Sequence, residues 1–149
     1  MQKTFFRILS NRLKRFNVLK NETIPEKGWF FSIRKALKMP LAVIAKRLNV
    51  SIPRVAYLEK QEAEGKVTLN TLKRAAEALD CRLFYIFIPK DTSLEEMLAK
   101  QAEKKAETIL QETLRTMALE DQIPEDLKAQ KGELKADILK NFKSDLWKL

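Results

Sequence analysis

Along most of the chain, apolar residues return every third or fourth position, the period of a helix with one face turned inward. Phe5, Leu9, Leu13 and Phe16 form the first such stripe, with Arg7, Lys14 and Arg15 on other faces. Trp29, Ile33 and Leu37 predict a short second helix. Ile44, Ala45 and Leu48 predict a third, with Pro40 suited to its first turn. Ser51 can cap a fourth, which takes Pro53 in its first turn and turns Val55 and Leu58 inward. Thr68 can cap a fifth, with Leu72, Ala75, Ala76 and Leu79 inside. Leu94, Met97, Leu98, Ala102, Ala106, Ile109, Leu110, Leu114 and Met117 then make one stripe of about six turns. Pro124 interrupts it. Leu134, Ile138, Phe142 and Leu146 form a last stripe of i, i+4 spacing, with Gly132 near the start of that helix. No repeat of fixed period and no low-complexity tract is present.

One segment departs from the helical period. Arg82 to Ile88 reads RLFYIFI, rich in aromatic and β-branched residues and stopped by Pro89. A lone strand cannot satisfy its own backbone groups. Either the segment is extended and buried against helices of its own chain, or it pairs with the same segment of a second subunit. The second reading is the expectation here, and it makes Leu83, Phe84, Tyr85, Ile86, Phe87 and Ile88 a homodimer interface.

Composition narrows the chemistry. The 149 residues hold one Cys, no His and three Gly. A His general base, a Cys/His metal site and an internal disulfide are all out of reach. No cofactor and no metal are expected, and no enzymatic activity. The absence of a long apolar run argues against a membrane span, and the single Cys suits a reducing cytoplasm. The basic, amphipathic start lacks a signal-peptide core. Charge is uneven: residues 1–90 hold 19 Lys and Arg against 7 Asp and Glu, whereas residues 91–149 hold 10 against 13. A basic body with a mildly acidic tail points to a polyanion for the first part and a different partner for the second.

The polyanion finds a motif at 41–60, LAVIAKRLNVSIPRVAYLEK. Two short helices crossed at a tight turn need a small residue at the closest approach, which Ala45 supplies. Asn49 suits a left-handed turn position. Val50, Val55 and Leu58 then point into a core shared with Ile44 and Leu48. A plain helical bundle can carry the same pattern. Read as a helix-turn-helix, the segment from about Ile52 to Lys60 enters the major groove, its N-terminal end nearest the bases. Ser51, Ile52, Pro53, Arg54 and Tyr57 are the exposed candidates, with Arg54 able to grip a guanine edge or a phosphate. Lys60 and Lys66 flank the next loop, and Lys38, Lys46 and Arg47 extend the basic footprint. Any of these lysines can equally be ordinary solvated surface.

Residues 33–80 resemble the Xre/Cro-type helix-turn-helix family, whose fold is a five-helix DNA-binding domain. The wider chain is similar to the family called mobile mystery protein A. The resemblance rests on Gly28–Leu37, Ser51–Pro89, SLEEML at Ser93–Leu98, TMALEDQ at Thr116–Gln122, and the Leu146–Trp147 pair. With the periodicity above, the expectation is an all-α protein made of a 1–28 basic helix, a 29–90 Xre-type DNA-binding domain with a dimerising strand at 82–88, and a 91–149 helical tail. The resemblance implies a transcriptional regulator with an antitoxin-like role beside a Fic-domain protein, and with the expected strand pairing it would bind a double-stranded operator as a homodimer. The 94–117 and 134–147 stripes are the surfaces expected to meet that partner. Two departures stand out. Xre-type domains commonly carry Gln at the starts of both motif helices, where this chain has Pro40-Leu41 and Ile52. A protein-interaction role with weak DNA readout is therefore the alternative.

Fic antitoxins of one class carry Ser/Thr-x-x-x-Glu followed by Gly or Asn. Thr92–Glu96 and Thr108–Glu112 match only the first half, since Met97 and Thr113 follow, and they read as solvated helix. Glu62 and Glu64 read as loop surface charge. Cys81 reads as a buried, inert thiol, and Trp29 and Trp147 as core or interface anchors.

Overall fold

A computed structural model of the chain describes residues 2–120 and 125–148. Pro124 and the last two residues of the TMALEDQ segment lie outside the described residues. Seven α-helices are present among the described residues: α1 (Gln2–Lys14), α2 (Trp29–Ala36), α3 (Leu41–Leu48), α4 (Ile52–Ala63), α5 (Leu69–Ala78), α6 (Leu94–Leu119) and α7 (Leu127–Lys140). They fold into two compact units, Asn21–Phe87 and Met1–Lys20 with Ile88–Leu149.

The Asn21–Phe87 unit holds α2 to α5 around Ile44 and Val55, both fully buried, with Phe30, Ala45, Leu58, Ala75, Ala78 and Leu79 beside them. All four helices end with the same device. A residue with positive φ follows the helix, at Lys38, Asn49, Gly65 and Asp80. The next N–H then reaches back five residues, from Met39 to Arg34, Val50 to Ala45, Lys66 to Gln61 and Cys81 to Ala76, at 2.8 to 3.0 Å. This closure satisfies carbonyls that the end of a helix leaves open and turns the chain sharply. The expected position of Asn49 in the left-handed region is observed, at φ 56 and ψ 47. The serine and threonine caps are also observed: Ser51 Oγ accepts from the Arg54 N–H and Thr68 Oγ1 from the Thr71 N–H. Pro40 occupies the N-cap of α3 rather than its first turn.

Three inward faces differ from expectation. In α2 the buried residues are Phe30 and Arg34, while Trp29 and Leu37 are exposed and Ile33 is partly buried. The face is rotated because Arg34 has a buried partner, and periodicity read only from apolar residues misses it. Val50 is exposed instead of sitting in the core, since the Asn49 turn spends it on backbone closure. Cys81 is exposed, with its Sγ 3.4 Å from the Leu79 carbonyl oxygen.

The expected strand is also corrected. Residues 81–89 are not a strand, and no strand exists among the described residues. A ladder needs a second edge, and a single chain of helices offers none. Phe84, Tyr85 and Phe87 are exposed, at 54%, 65% and 88%. Leu83, Ile86 and Ile88 are half-buried, and Leu83 and Phe84 line a groove with Phe30, Ile33 and Leu72, so the alternative of a segment packed against its own helices is met in part.

In the second unit, α6 and α7 pack as an antiparallel hairpin. Leu98 and Ala102 of α6 close on Leu146, and Ala106 is fully buried. Ser93 caps α6 by accepting from the Glu96 N–H, and a Glu96 oxygen accepts from the Thr92 N–H at 3.2 Å. The Thr92–Glu96 pattern is thus a helix cap. The last apolar stripe is not one helix: α7 ends at Lys140, and Leu146 sits on a short 3-10 turn, Ser144–Trp147. The 94–117 and 134–147 stripes pack largely on each other, so they are not left as a free docking face. In α1 the inward residues are Phe6, Ser10 and Leu13, with Phe16 half-buried just beyond the helix; of the expected stripe only Phe5 and Leu9 are exposed. Phe6 meets Phe142 edge-on at 6.0 Å between ring centres, and Ser10 is buried because its hydroxyl donates to Glu95.

Candidate nucleic-acid interface

The α3–α4 pair is held from behind by side chains that apolar periodicity does not reveal. On α4 the inward stripe runs Val55, Leu58, Glu59 and Glu62, spaced i, i+3, i+4, i+7. Two of these positions are acidic, and each has an assigned task. Glu59 is buried and takes Arg34 through both oxygens: the guanidinium Nε donates to Oε1, and Nη2 donates to Oε2 at 3.2 Å. Arg34 Nη1 also donates to the Met39 carbonyl at 3.0 Å. One ion pair therefore locks α2, α4 and the turn before α3 together, with bidentate geometry that fixes orientation as well as distance. Glu62 is not loop surface charge. Its carboxylate accepts from the backbone N–H groups of Phe30 at 2.8 Å and Trp29 at 3.1 Å, capping α2 from another helix. Gly28 permits this. It has φ 85, and a Cβ built there would lie 2.7 Å from Glu62 Oε2. Opposite charges in core register on two neighbouring helices were the signal that could have identified the Arg34–Glu59 pair from the sequence.

With its inner face fixed in this way, α4 turns its outer face to solvent. Ser51, Ile52, Pro53, Arg54, Tyr57 and Lys60 are all exposed, Ile52 at 47% and Tyr57 at 50%. The Arg54 guanidinium lies 5.5 Å from the Tyr57 ring, one turn along, which sets its direction along the outer face of α4. Ser51 has one oxygen lone pair committed to its cap.

The remaining basic candidates differ in how far they are engaged. Lys38 and Lys46 are exposed and form no ion pair among the described residues. Arg47 is tied down: its Nη1 donates to the Ala78 carbonyl at 2.7 Å and to Asp80 at 3.3 Å, clamping α3 to the end of α5. Lys60 and Lys66 share Glu64, at 3.9 and 3.3 Å, which offsets part of their charge. Within Asn21–Phe87, 12 Lys and Arg face 7 Asp and Glu. Much of the basic excess of the first 90 residues lies outside this unit, in residues 1–20, which hold 6 Lys and Arg and no acid.

Residues 32–86 match a family model described as helix-turn-helix. The region is an Xre-type helix-turn-helix domain. Comparison of the chain with curated proteins and with solved structures returns no match. The match takes in the second half of α2, all of α3 to α5 and the residues after them to 86, and it supports a DNA-binding regulatory role. Among the described residues no group of His, Cys, Asp and Glu could hold a metal, and no helix is long and apolar enough to cross a membrane.

Proposed function

We infer that the protein is a transcriptional regulator that reads duplex DNA with the N-terminal half of α4. The observation that carries this reading is the two-sided character of α4. Its inner face is fixed by Val55, Leu58, Glu59 and Glu62, and its outer face offers Ile52, Arg54 and Tyr57 to solvent. Arg54 takes a guanine edge or a phosphate, and Ile52 meets a thymine methyl. Lys38 and Lys46 contribute to the electrostatic footprint on the backbone, with a smaller share from the paired Lys60 and Lys66. Arg47 acts chiefly as a structural clamp.

The segment 82–88 is the reading's second element. Exposed Phe84, Tyr85 and Phe87 suit two-fold pairing with a second copy, which would give the segment the ladder that one chain lacks. A dimer places two α4 helices on half-sites about 34 Å apart or a multiple of that. The resemblance described above adds a cytoplasmic, autorepressing antitoxin-like role beside a Fic-domain protein.

The test is selection of bound duplexes from a random library with the full chain, followed by titration of the selected site against random DNA. Specific readout keeps a large ratio between the two at physiological salt. Arg54→Ala is expected to weaken the selected site by about 1–3 kcal/mol and to relax preference at one base pair. An unchanged affinity would remove α4 from the groove. The competing reading, a protein-binding scaffold with little base readout, is favoured by the apolar Leu41 and Ile52 at positions where polar contacts are usual. It predicts that specific and random binding fall together as salt rises.

A further inference from the structure

The second unit contains a cavity of about 510 Å³ that the DNA-binding reading does not use. The first two turns of α1 form one wall, with Phe5, Phe6 and Leu9, and the chain after α7 forms the other, with Phe142 and Trp147. These walls are apolar and only partly covered: Phe5 is 69% exposed and Trp147 54%. The rim has the opposite character. Lys3, Lys140 and Lys143 all line the cavity, no acidic residue does, and none of the three makes an ion pair among the described residues. Asn141 and Ser144 add neutral hydrogen-bonding groups at the same rim.

An apolar aromatic pocket of this size is in the range of small-molecule sites, and a few convergent polar groups would fix orientation. The chemistry of the rim chooses the ligand's head. Three cations without a counter-charge favour an anion and penalise a cation, while the aromatic walls favour a hydrocarbon or aromatic body. We propose that the cavity between α1 and the segment after α7 binds a small amphipathic carboxylate, with its apolar body against Phe5, Phe6, Phe142 and Trp147 and its head among Lys3, Lys140 and Lys143. Bound ligand would bridge α1 to the C-terminal segment, because its two walls come from the two ends of the chain.

The chain holds two tryptophans, so Trp29→Phe leaves Trp147 as the sole indole reporter in the cavity wall. The full-length Trp29→Phe protein is titrated with laurate below its micelle concentration, and Trp147 emission is followed. A saturable shift complete below about 1 mM is the expected result. Dodecyltrimethylammonium, with the same tail and the opposite charge, is expected to bind at least about tenfold more weakly, and Lys3→Gln/Lys140→Gln/Lys143→Gln to lose about tenfold for laurate. Circular dichroism establishes that the triple variant keeps its helices; if it does not, the comparison of the two amphiphiles on the Trp29→Phe chain decides alone. No saturation by 1 mM laurate, or equal binding of both amphiphiles, overturns the proposal. So does a response to phosphatidylglycerol vesicles with none to monomeric laurate, which would assign the surface to a membrane.

Discussion

In Asn21–Phe87 four helices close on fully buried branched side chains, Ile44 and Val55, and on one buried ion pair. In the unit formed by Met1–Lys20 and Ile88–Leu149, two of the three most buried apolar residues are alanines, Ala102 and Ala106. Its ion pairs there are partly exposed, including Lys131 with Glu103 and Glu107, Lys135 with Glu103, and Lys100 with Asp91. The contrast separates two ways of fixing a helix. A buried, bidentate charge pair sets rotation and height together, because a guanidinium and a carboxylate meet in few orientations. Alanine packing with lysine–glutamate bridges permits more sliding, since such bridges are weak, screened and adaptable. The stiffer fixing lies in the unit that carries the helix-turn-helix match.

The strongest way to break this contrast is to remove Glu59. Glu59→Ala leaves Arg34 buried without its partner and is expected to cost about 3–5 kcal/mol. Hydrogen exchange of amides in α2 to α5 measures this within the first unit. The double variant Arg34→Met/Glu59→Leu sharpens the point: it is expected to recover most of the loss while leaving α4 less exactly oriented, so DNA affinity should recover less than stability. A double variant no more stable than Glu59→Ala would show that the pair's geometry cannot be replaced by packing.

This pair also marks the boundary of what could be read in advance. The caps at Ser51 and Thr68, the left-handed Asn49 and the buried Ile44, Val55 and Ala75 were legible because each depends on local chemistry or on apolar period. The exposed outer face of α4 was legible for the same reason. The α2 face and the first half of the α1 face were misread by one position, and both errors have one cause. Ser10 and Arg34 are polar residues buried through a partner distant in sequence, Glu95 and Glu59, so they look like surface. Glu62 was missed likewise, its task being to cap a helix more than 30 residues earlier. The 82–88 segment has strand composition, but composition cannot supply a neighbouring edge.

The next effect concerns the interhelical cap. Gly28→Ala places a side chain at φ 85, where only glycine is at ease, and directs its Cβ at the Glu62 carboxylate. A loss of about 1–3 kcal/mol is expected, with faster exchange of the Trp29 and Phe30 amides. Glu62→Gln should be milder, since a neutral oxygen still accepts but without the charge that suits a helix N-terminus.

In the second unit a smaller and differently conditioned effect is expected. Lys131 lies between Glu103 and Glu107, and these carboxylates hold its ammonium above the ordinary lysine value. The site is at the surface, so Lys131→Ala should lower the stability of α6 and α7 slightly in dilute buffer and negligibly at about 1 M salt. The Glu59→Ala loss should persist at both. A salt-independent Lys131 effect would contradict the division between the two units.

The smallest effect is a pH dependence at the Ser10–Glu95 contact. The Ser10 hydroxyl donates to Glu95 and is the main reason its carboxyl sits below the ordinary value of 4.5, with burial opposing and Lys14, 3.6 Å away, assisting. The folded carboxyl is thus more acidic than the unfolded one, and stability rises with pH wherever the unfolded chain binds more protons. The contribution is complete above the unfolded value near 4.5 and is lost as pH falls through the lower folded value. Glu95 is about half exposed, so the gain is small. Ser10→Ala should flatten this part of the acid limb, while stability at neutral pH shows the separate cost of removing a buried hydroxyl. Measuring the difference between wild type and Ser10→Ala from neutral pH down through the acid range separates the two: the pH-dependent part belongs to the carboxylate, the constant part to packing. A difference that stays constant across the whole range would mean that the hydroxyl fills space without stabilising the charge.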